Sequence, residues 1–367
     1  MGPKSKNFKT TDRPSGTPIP QSSHMVARPL DLPKNLPNIS LDLQQLMLNV
    51  FRDALSLPID SELKQTIQDV KGHLYNRDFE SAFGREDFLL AYALRWSASR
   101  ALAFANIFAE FDVKYRALEA KNTTAREQTQ QDPKCAKILC IGGGAGAEVV
   151  ALATLASMLP LTHLSIVAVD VADWSPVLNK LAVTIVTPPV LSQYASVAKK
   201  EANRALLDPV RFHVEFKKHD ILQYSLVELG HLVADSSLVT IMFTLNELFS
   251  TSIAKTTDLL LKLTDVMKPE SWLLVVDSPG SYSEVTLGKN SEAKQYPMKW
   301  LLDHTLQQTA GHNLNGISKW RKEESDDSRW FRVNQALKHS VDLENMRFQI
   351  HVYQRQTGDD DSDRDVC

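Results

Sequence analysis

Short β-rich runs of strand length alternate with helix-length segments along the chain from residue 137 onward. Runs that are apolar almost throughout are typical of strands buried on both faces of a sheet, and helix-length connections place successive strands parallel. The pattern predicts an α/β fold with a doubly wound, mostly parallel sheet over residues 136–355. The five runs are KILCI (137–141), LSIVAVD (164–170), RFHVEF (211–216), LVTIMF (238–243) and WLLVVD (272–277).

The end of this region and the part before it follow two other patterns. MRFQIHVYQR, residues 346–355, alternates with a period of two, which suits an antiparallel edge strand paired with WFRV at 330–333. Between residues 38 and 118, apolar residues recur every three or four positions, as in LDLQQLMLNVF. That spacing predicts an N-terminal helical region packed as a bundle or a cap.

Three further segments show neither pattern. Residues 1–37 hold seven of the 17 prolines and a net charge of +4, so we expect a disordered basic arm. Residues 119–135 are polar and rich in turn formers, which indicates a linker. Residues 356–367 carry five aspartates against Arg364, which indicates a short, disordered acidic tail.

Composition narrows the class of protein. A chain of 367 residues, 43% of them hydrophobic, can bury a large core. Cys135, Cys140 and Cys367 form no CxxC pair, so we expect an intracellular protein without a metal site. No segment has the roughly 20 unbroken apolar residues of a transmembrane helix, so no membrane partner is expected. The net charge of -3 argues against a dedicated nucleic-acid binder.

The most specific motif is ILCIGGGAGAE, residues 138–148, where a buried strand runs through a glycine-rich turn into a helix. Gly142, Gly143, Gly144 and Gly146 permit positive φ and close approach of a ligand, and the helix N-terminus offers free N–H groups. A nucleotide-like ligand is therefore expected. Two interpretations stay open, the G-x-G-x-x-A turn of dinucleotide binders and the G-x-G-x-G turn of methyltransferases that use S-adenosylmethionine (SAM).

Acidic residues follow the second and third predicted strands. Asp170 ends LSIVAVD, where its carboxylate can accept hydrogen bonds from both ribose hydroxyls, as either interpretation requires. Asp220 and Ile221 favour the methyltransferase interpretation, because an acid and an aliphatic side chain after the third strand suit an adenine amine and ring. Trp174 is a second candidate for covering that ring, although a tryptophan near a helix start is more often core.

Polar residues also follow the fourth and fifth strands. Asn246 and Glu247 lie in TLNELFS, and Asp277 and Ser278 begin DSPGSYS. Ligands of an open parallel sheet bind beyond the carboxyl ends of its strands, so these side chains are candidates for a substrate site beside the glycine turn. Asn246 and Glu247 could equally cap the helix that follows them.

Taken together, the motifs resemble those of the fungal 25S rRNA (uridine-N(3))-methyltransferase family, within the class I, Rossmann-like methyltransferases that use SAM. The resemblance covers about residues 73–355. It implies SAM as cofactor, a uracil ring nitrogen of 25S rRNA in a pre-ribosomal particle as substrate, and a nuclear, nucleolar location. The phrases that carry it are LYNRDFESAF, AYALRWSASRALAF, ILCIGGGAGAE, LNELFS and VVDSPGSYSEV.

The resemblance also implies roles for individual residues. Cys140 departs from the usual pattern, which has an acid two residues before the first glycine, and Glu148 or Asp277 could substitute in holding the methionine end. The cofactor-binding residues would be Gly142, Gly144, Gly146, Asp170, Asp220 and Ile221.

The expected chemistry needs a base, because a uracil N–H is a poor nucleophile until its proton leaves. A positioned base contributes about 10²–10⁴-fold. Glu247 and Asp277 are the candidate bases, and Asn246 could orient a uracil carbonyl. The target base must be unpaired or flipped out. RNA contacts are expected from residues 285–340, where nine Lys and Arg residues, six acids and several aromatic residues are interspersed.

Two other functions remain open at this point. An NAD-dependent oxidoreductase would share the glycine turn and Asp170, but gives no reason for Asp220. A non-catalytic ribosome-assembly factor on a methyltransferase fold would account for the absence of the usual acid at Cys140.

Overall fold

The computed structural model describes residues 39–56, 60–116, 135–159, 163–201, 203–280, 282–285, 294–312 and 316–357. The predicted basic arm, most of the predicted linker and residues 358–367 of the predicted acidic tail lie outside these residues. In the described part of the chain, no helix is both long enough and apolar enough to cross a membrane.

The strands of the described chain are nine in number. They are β1 (Cys135–Ile141), β2 (His163–Asp170), β3 (Phe212–Lys218), β4 (Leu238–Met242), β5 (Trp272–Asp277), β6 (Tyr282–Val285), β7 (Lys294–Pro297), β8 (Trp320–Phe331) and β9 (Met346–Arg355). Seven of them form one sheet in the order β3-β2-β1-β4-β5-β9-β8, and β6 and β7 form a separate two-stranded ribbon. Strands β1 to β5 are parallel, which confirms the predicted α/β class with a mostly parallel sheet.

The order of the sheet reverses at β1, which pairs with β2 on one side and with β4 on the other. Ile141 at the end of β1 lies opposite Val169 of β2 and Ile241 of β4. A reversal of this kind opens a crevice beyond the carboxyl ends of the strands, where ligands of such sheets bind. The glycine turn follows β1 directly and therefore lies in this crevice.

The last two strands extend the sheet antiparallel to the rest. β9 pairs antiparallel with β5, as predicted, with Gln349 opposite Asp277, but it is not the edge strand that the sequence predicted, because it also pairs with β8. β8 pairs in turn with β9 and forms the outer edge. β8 runs from Trp320 to Phe331 and is therefore longer than the segment 330–333 that was predicted to pair with β9.

Helices connect the strands and cover both faces of the sheet. In chain order they are α1 (Leu41–Ala54), α2 (Ser61–Tyr75), α3 (Phe79–Phe83), α4 (Glu86–Tyr92), α5 (Ala98–Phe111), α6 (Ala147–Met158), α7 (Ser175–Ile185), α8 (Val197–Glu201), α9 (Leu226–Val233), α10 (Leu245–Thr251), α11 (Ile253–Val266) and α12 (Met298–Asp303). Three segments of π-helix also occur, at Ala93–Ser97, Asp112–Arg116 and His304–Thr309.

Side chains alternate between two cores, one on each face of the sheet. Along β1, Ile138 and Cys140 belong to one core, and Leu139 and Ile141 to the other. Successive side chains of a strand point to opposite faces, so a central strand must be apolar at every position to fill both cores. The central strands are unbroken apolar runs because they fill a core on each face of the sheet.

The predicted N-terminal helices form part of one of these two layers. α1 and α5 pack against α6, and α1 also packs against α7, so their apolar residues join the core of that face. Phe104 of α5 lies 6.1 Å from Phe243, just past β4, measured between ring centroids. The early part of the chain therefore reaches the carboxyl edge of the sheet.

Candidate active site

A cavity of about 260 Å³ opens at the carboxyl edge of the sheet, above β1, β2 and β4. Its floor comes from the glycine turn and the strand ends, and its outer wall from helices α3 to α5. The residues around it include Phe79, Phe83, Tyr92, Arg100, Gly142, Ala145, Asp170, Trp174, Asp220, Ile221, Phe243, Thr244 and Glu247. Five of the ten site residues predicted from the sequence therefore meet here, namely Gly142, Asp170, Asp220, Ile221 and Glu247.

The glycine turn needs its glycines partly for backbone conformation. Gly142 and Gly146 have φ angles of 77° and 81°, in the left-handed region that favours glycine. The Gly142 N–H donates to the carbonyl oxygen of Val169 at 2.8 Å, which ties the turn to the end of β2.

Close packing requires the glycines as well. A Cβ on Gly144 would lie 2.1 Å from Cδ1 of Trp174, and one on Gly142 would lie 2.1 Å from Oγ1 of Thr244. Gly142 and Ala145 line the cavity itself. The turn is thus held between neighbouring side chains while it exposes its backbone to the cavity.

Asp170 lies at the end of β2 and faces the cavity. Its Oδ2 accepts a hydrogen bond from the Gly144 N–H at 3.3 Å, and its Oδ1 accepts one from the Ala172 N–H at 3.2 Å. Burial raises the pKa of Asp170 to about 6, although these N–H donors act in the opposite direction. The carboxylate is therefore positioned rigidly beside the turn.

Asp220 and Ile221 form the far side of the cavity, just after β3. Asp220 caps a short 3₁₀ turn, and its Oδ1 accepts from the Leu222 N–H at 3.0 Å. Ile221 is buried against the core of the opposite face. The turn thus presents one acid and one aliphatic side chain to the same cavity as Asp170.

Glu247 lies in the first turn of α10 and lines the cavity. Burial is the main cause that raises its pKa to about 7, with further contributions from the charges of Asp277 and Asp170. Arg100 lowers the same pKa. Among the described residues, none donates a hydrogen bond to the Glu247 carboxylate, so both oxygens can receive a ligand.

Arg100, on the helical wall, lines the same cavity as Glu247. Its guanidinium donates to the Tyr92 hydroxyl at 2.6 Å and lies 4.6 Å from the centroid of the Phe243 ring. Arg95 is different, because it binds the Asp342 carbonyl and the Glu344 carboxylate instead. Of the two arginines in RWSASR, Arg100 alone lines the cavity.

Asp277 and Asn246 lie next to the cavity but serve the backbone. The Asp277 Oδ2 accepts from the Asn246 N–H at 3.0 Å, and its Oδ1 accepts from the Ser278 N–H at 2.7 Å. Burial raises the pKa of Asp277 to about 6. The carboxylate thereby fixes the start of α10, while the buried Asn246 Oδ1 has no hydrogen-bond partner among the described residues.

Cys140 and Glu148 lie behind the turn rather than in the cavity. Cys140 is fully buried, and the Glu148 carboxylate accepts a hydrogen bond from the Thr240 hydroxyl of β4. A Cβ on Gly143 would lie 2.9 Å from Oε2 of Glu148. Burial raises the pKa of Glu148 to about 7. Glu148 therefore packs beneath the turn and is not among the residues that line the cavity, so its substitution for the missing acid stays a prediction.

Several residues of the cavity were not predicted from the sequence. Phe83 and Tyr92 pack on Trp174, with ring centroids 5.3 Å and 5.5 Å away. Phe243 has a φ of 58°, an unusual value for a residue other than glycine, and such strain is often found at functional sites. Two signals in the sequence could have indicated this wall. They are the aromatic residues within LYNRDFESAF (74–83) and the phenylalanine of FTLNE (243–247), which follows β4.

The site fits the adenosine part of SAM. Asp170 and Asp220 offer carboxylates on neighbouring strand ends, Ile221 and Trp174 offer apolar surfaces between them, and Gly142 and Ala145 leave room for a ligand at the turn. Among the described residues no cluster of three potential metal ligands occurs. The fold and this site define a SAM-dependent methyltransferase.

Comparison with known proteins agrees with this class. Residues 51–354 match a protein family described as "Putative SAM-dependent methyltransferase". The chain is also similar to the Saccharomyces cerevisiae protein named 25S rRNA (uridine(2843)-N(3))-methyltransferase, with 33% identity over 313 residues, 80% of this chain and 78% of the yeast protein. The chain belongs to this family of SAM-dependent methyltransferases, and SAM is its cofactor, so the glycine turn is of the methyltransferase type and not of the dinucleotide type.

Solved structures show more distant likenesses. A SAM-dependent methyltransferase from Methanosarcina mazei is 13% identical, with a TM-score of 0.33, over 61% of this chain and 93% of that one. PigF, solved with S-adenosylhomocysteine, is also 13% identical, with a TM-score of 0.34, over 81% of this chain and 70% of that one.

Proposed function

We propose that this enzyme methylates N3 of a uridine in 25S rRNA, within a pre-ribosomal particle, and that it acts in the nucleus, in the nucleolus. The observation that carries the proposal is the 33% identity, over four-fifths of the chain, to a yeast protein named for that reaction. The cavity adds a chemical reason, because it holds a carboxylate suited to taking the N3 proton.

Glu247 is the base in this proposal. General-base catalysis is most efficient when the pKa of the base lies near the working pH, and the pKa of Glu247 is raised to about 7. Its carboxylate faces the cavity and receives no hydrogen bond from the described residues. The N3 proton of the uracil passes to this carboxylate, and the freed N3 lone pair becomes the nucleophile.

Asp277 has a structural role in this proposal, although the sequence made it a candidate base equal to Glu247. Both of its oxygens accept backbone N–H groups, and it is absent from the cavity wall. It positions α10, and with it Asn246 and Glu247. Asn246, whose buried Oδ1 lacks a partner among the described residues, is proposed to orient the uracil through its side-chain amide.

Bound SAM supplies an electrophilic methyl group on its sulfonium. The residues proposed to hold it are Gly142, Gly143, Gly144, Gly146, Asp170, Asp220 and Ile221. Holding both reactants in line is worth about 7–11 kcal/mol in well-oriented reactions, so positioning is the chief task of these residues.

The test is methylation in vitro. Purified enzyme and SAM would be incubated with rRNA from cells that lack the homologous enzyme, and nucleosides would be identified by mass spectrometry. We expect 3-methyluridine, and we expect Glu247→Gln to lower kcat by about 10²–10⁴-fold. Glu215→Gln, the same change at an exposed position on β3, should leave the rate unchanged.

The pH profile gives a second readout. A carboxylate base acts only when ionised, so the rate should rise with pH to a plateau, with a midpoint near 7. Glu247→Gln should lose this inflection. Transfer to a different atom of the nucleoside, or binding of rRNA without any transfer, would contradict the proposed reaction, while an unaltered rate in Glu247→Gln would contradict the proposed base.

A further inference from the structure

Two of the three tryptophans between residues 285 and 340 are open to solvent. Trp300 is 46% exposed and Trp330 is 52% exposed. Trp320, in contrast, is 1% exposed, and its Nε1 donates to the Thr264 hydroxyl at 2.8 Å. The sequence does not distinguish these three tryptophans, but in the structure Trp320 is a core residue and the other two lie on the surface.

Strand register places Trp330 at the same edge of the sheet as the cavity. β9 runs antiparallel to β5, with Gln349 opposite Asp277 at the carboxyl end of β5. Arg347 is two residues before Gln349, so it lies beyond that end, and its partner on β8 is Trp330. Residues at spacing two share a face of the sheet, which puts Arg347 and Gln349 on the same side.

A groove of about 360 Å³ lies on this side, between α12 and the hairpin of β8 and β9. Trp300 and Lys299 of α12 line one side, Asp327 of β8 lines the other and forms an ion pair with Lys299 at 2.7 Å, and Gln349 of β9 also lines the groove. The Gln349 side chain donates to the Ser278 carbonyl at 2.7 Å. The groove therefore begins at the strand end where Asp277 fixes α10, next to the proposed substrate site.

Five basic residues of the described chain between residues 294 and 340 are already neutralised. Lys299 pairs with Asp327, and Arg329 binds the carboxylates of Glu110, Glu324 and Asp326. The basic residues that form ion pairs are Lys299, Lys319, Arg321, Lys322 and Arg329. Paired charges of this kind give little attraction to a phosphate backbone.

Arg332 and Arg347 differ from these five residues. Both are exposed, and among the described residues neither has a carboxylate partner. The Arg332 guanidinium lies 4.1 Å from the centroid of the Trp330 ring and that of Arg347 lies 5.8 Å from it, while the Arg347 Nε donates to the Ser328 hydroxyl at 3.0 Å. Two unpaired guanidiniums at one exposed indole form what we call the Trp330 cluster (Trp330, Arg332 and Arg347).

This combination suits single-stranded RNA. Guanidinium groups bind phosphate with several donors in a fixed plane, and exposed aromatic rings stack on unpaired bases without regard to sequence. We propose that the Trp330 cluster binds the unpaired RNA strand that flanks the target uridine, with the groove along Trp300 leading that strand to the site. The proposal rests on the proposed function, since it assumes an RNA substrate.

The test measures RNA binding and catalysis separately in the full-length enzyme. Fluorescence anisotropy with a short, unstructured, uridine-containing RNA gives affinity over a range of salt, and calorimetry with S-adenosylhomocysteine gives cofactor affinity. Trp330→Ala should weaken RNA binding by about 5- to 150-fold, the usual effect of losing one stacked base, and Trp330→Phe should restore most of it.

The arginines are tested through the salt dependence. Each phosphate contact with a single strand contributes about 0.7 to the slope of log affinity against log salt, so Arg332→Gln/Arg347→Gln should reduce the slope by about 1.4. Lys64→Gln/Lys71→Gln on α2 removes two exposed charges elsewhere and should change the slope little. Tyr194→Ala, an 87% exposed aromatic residue between α7 and β3, is the matched control for Trp330.

The outcomes separate this inference from the proposed function. Unchanged affinity and slope in both cluster variants, with methylation of uridine intact, would overturn the inference alone. Loss of RNA binding in the cluster variants, in an enzyme that never methylates uridine, would uphold the surface and overturn the proposed reaction. Loss of S-adenosylhomocysteine binding in the same variants would show a folding defect, and the Trp330→Phe variant then decides, because failure of rescue counts against the cluster.

Discussion

Four carboxyl groups in or beside the site have a raised pKa. Each of them has a different environment. Asp170 and Asp277 accept backbone N–H groups, Glu148 accepts the Thr240 hydroxyl, and Glu247 faces the cavity. Burial is the main cause of the raised pKa in all four. Groups whose pKa is shifted in this way cluster at functional sites, because the same burial that excludes water also disfavours charge.

Glu148 makes the stability of the enzyme depend on pH. Its pKa rises from 4.5 to about 7 on folding, so its favourable contribution is complete below about pH 4.5 and is lost as the pH rises through about 7. Glu148→Gln mimics the protonated form at every pH. We therefore expect the unfolding free energy of Glu148→Gln, relative to the unaltered enzyme, to increase between pH 5 and pH 8 by on the order of 3 kcal/mol. Urea denaturation at several pH values measures this difference.

Glu228 provides the matched control for that experiment. It is exposed at the start of α9, where hydrogen bonds from Ser225 lower its pKa. A lowered pKa stabilises the fold above the unfolded pKa, so the same comparison for Glu228→Gln should move in the opposite direction with pH. A relative stability of Glu148→Gln that is flat, or that falls with pH, would count against a buried, protonated Glu148.

Some of these residues could be found from the sequence and others could not. The glycine turn and Asp170 could be located because each follows an unbroken apolar strand, and Asp220 because it follows a short β-rich run that alternates apolar and polar residues. The different roles of Glu247 and Asp277 could not be predicted from the sequence. Their difference depends on the Asn246 and Ser278 N–H groups, which reach Asp277 only once β5 and α10 are in contact.

At the scale of elements, the N-terminal helices complete the site. Tyr92 ends α4 and Arg100 lies in the first turn of α5, with a π-helical segment, Ala93–Ser97, between them. Short π-helical insertions often occur at functional sites. Here the segment separates two residues that bond to each other, through the Arg100 guanidinium and the Tyr92 hydroxyl, at the wall of the cavity.

The charge of Arg100 tunes the proposed base. Its positive charge lowers the pKa of Glu247, in opposition to burial. Arg100→Met, which keeps the apolar stem of the side chain and removes the charge, should raise the pKa of Glu247 and move the midpoint of the pH–rate profile upward from about 7. Arg100→Lys keeps the charge and should shift the midpoint less. Initial rates between pH 5.5 and pH 9 measure it, and a midpoint that stays in place or falls in Arg100→Met would contradict this coupling.

The elements also show why the sequence predicted some strands better than others. The central strands were apparent because they are apolar on both faces. β8 was predicted only at its end, because WRKEESDDSRWF is mostly polar and holds its place through pairing with β9 and through ion pairs such as that of Arg329 with Glu324. Likewise, helical spacing before residue 118 predicted helices, but not that they would line the cavity, since that depends on long-range packing.

For the whole molecule, the question is how a chain with a net charge of -3 attracts RNA. The structure reduces the available positive charge further, because five basic side chains on α12 and along the β8 segment are held in ion pairs. Near the site the exposed guanidiniums of the Trp330 cluster remain, and residues 1–37 carry a net charge of +4. Attraction of this size suits an enzyme that visits a defined place in a large particle better than a tight binder of free RNA.

The affinity of the full chain for short, naked RNA should therefore be low and sensitive to salt. With the two arginines of the Trp330 cluster as the only phosphate contacts, a fourfold rise in salt would weaken binding about sevenfold, and contacts from residues 1–37 would increase that factor. A chain that begins at residue 38 should bind RNA more weakly, with a shallower salt slope, while its affinity for S-adenosylhomocysteine stays the same. Anisotropy titrations between 50 and 200 mM salt would decide the matter. Tight binding that ignores salt would mean that stacking and base contacts, rather than charge, hold the RNA.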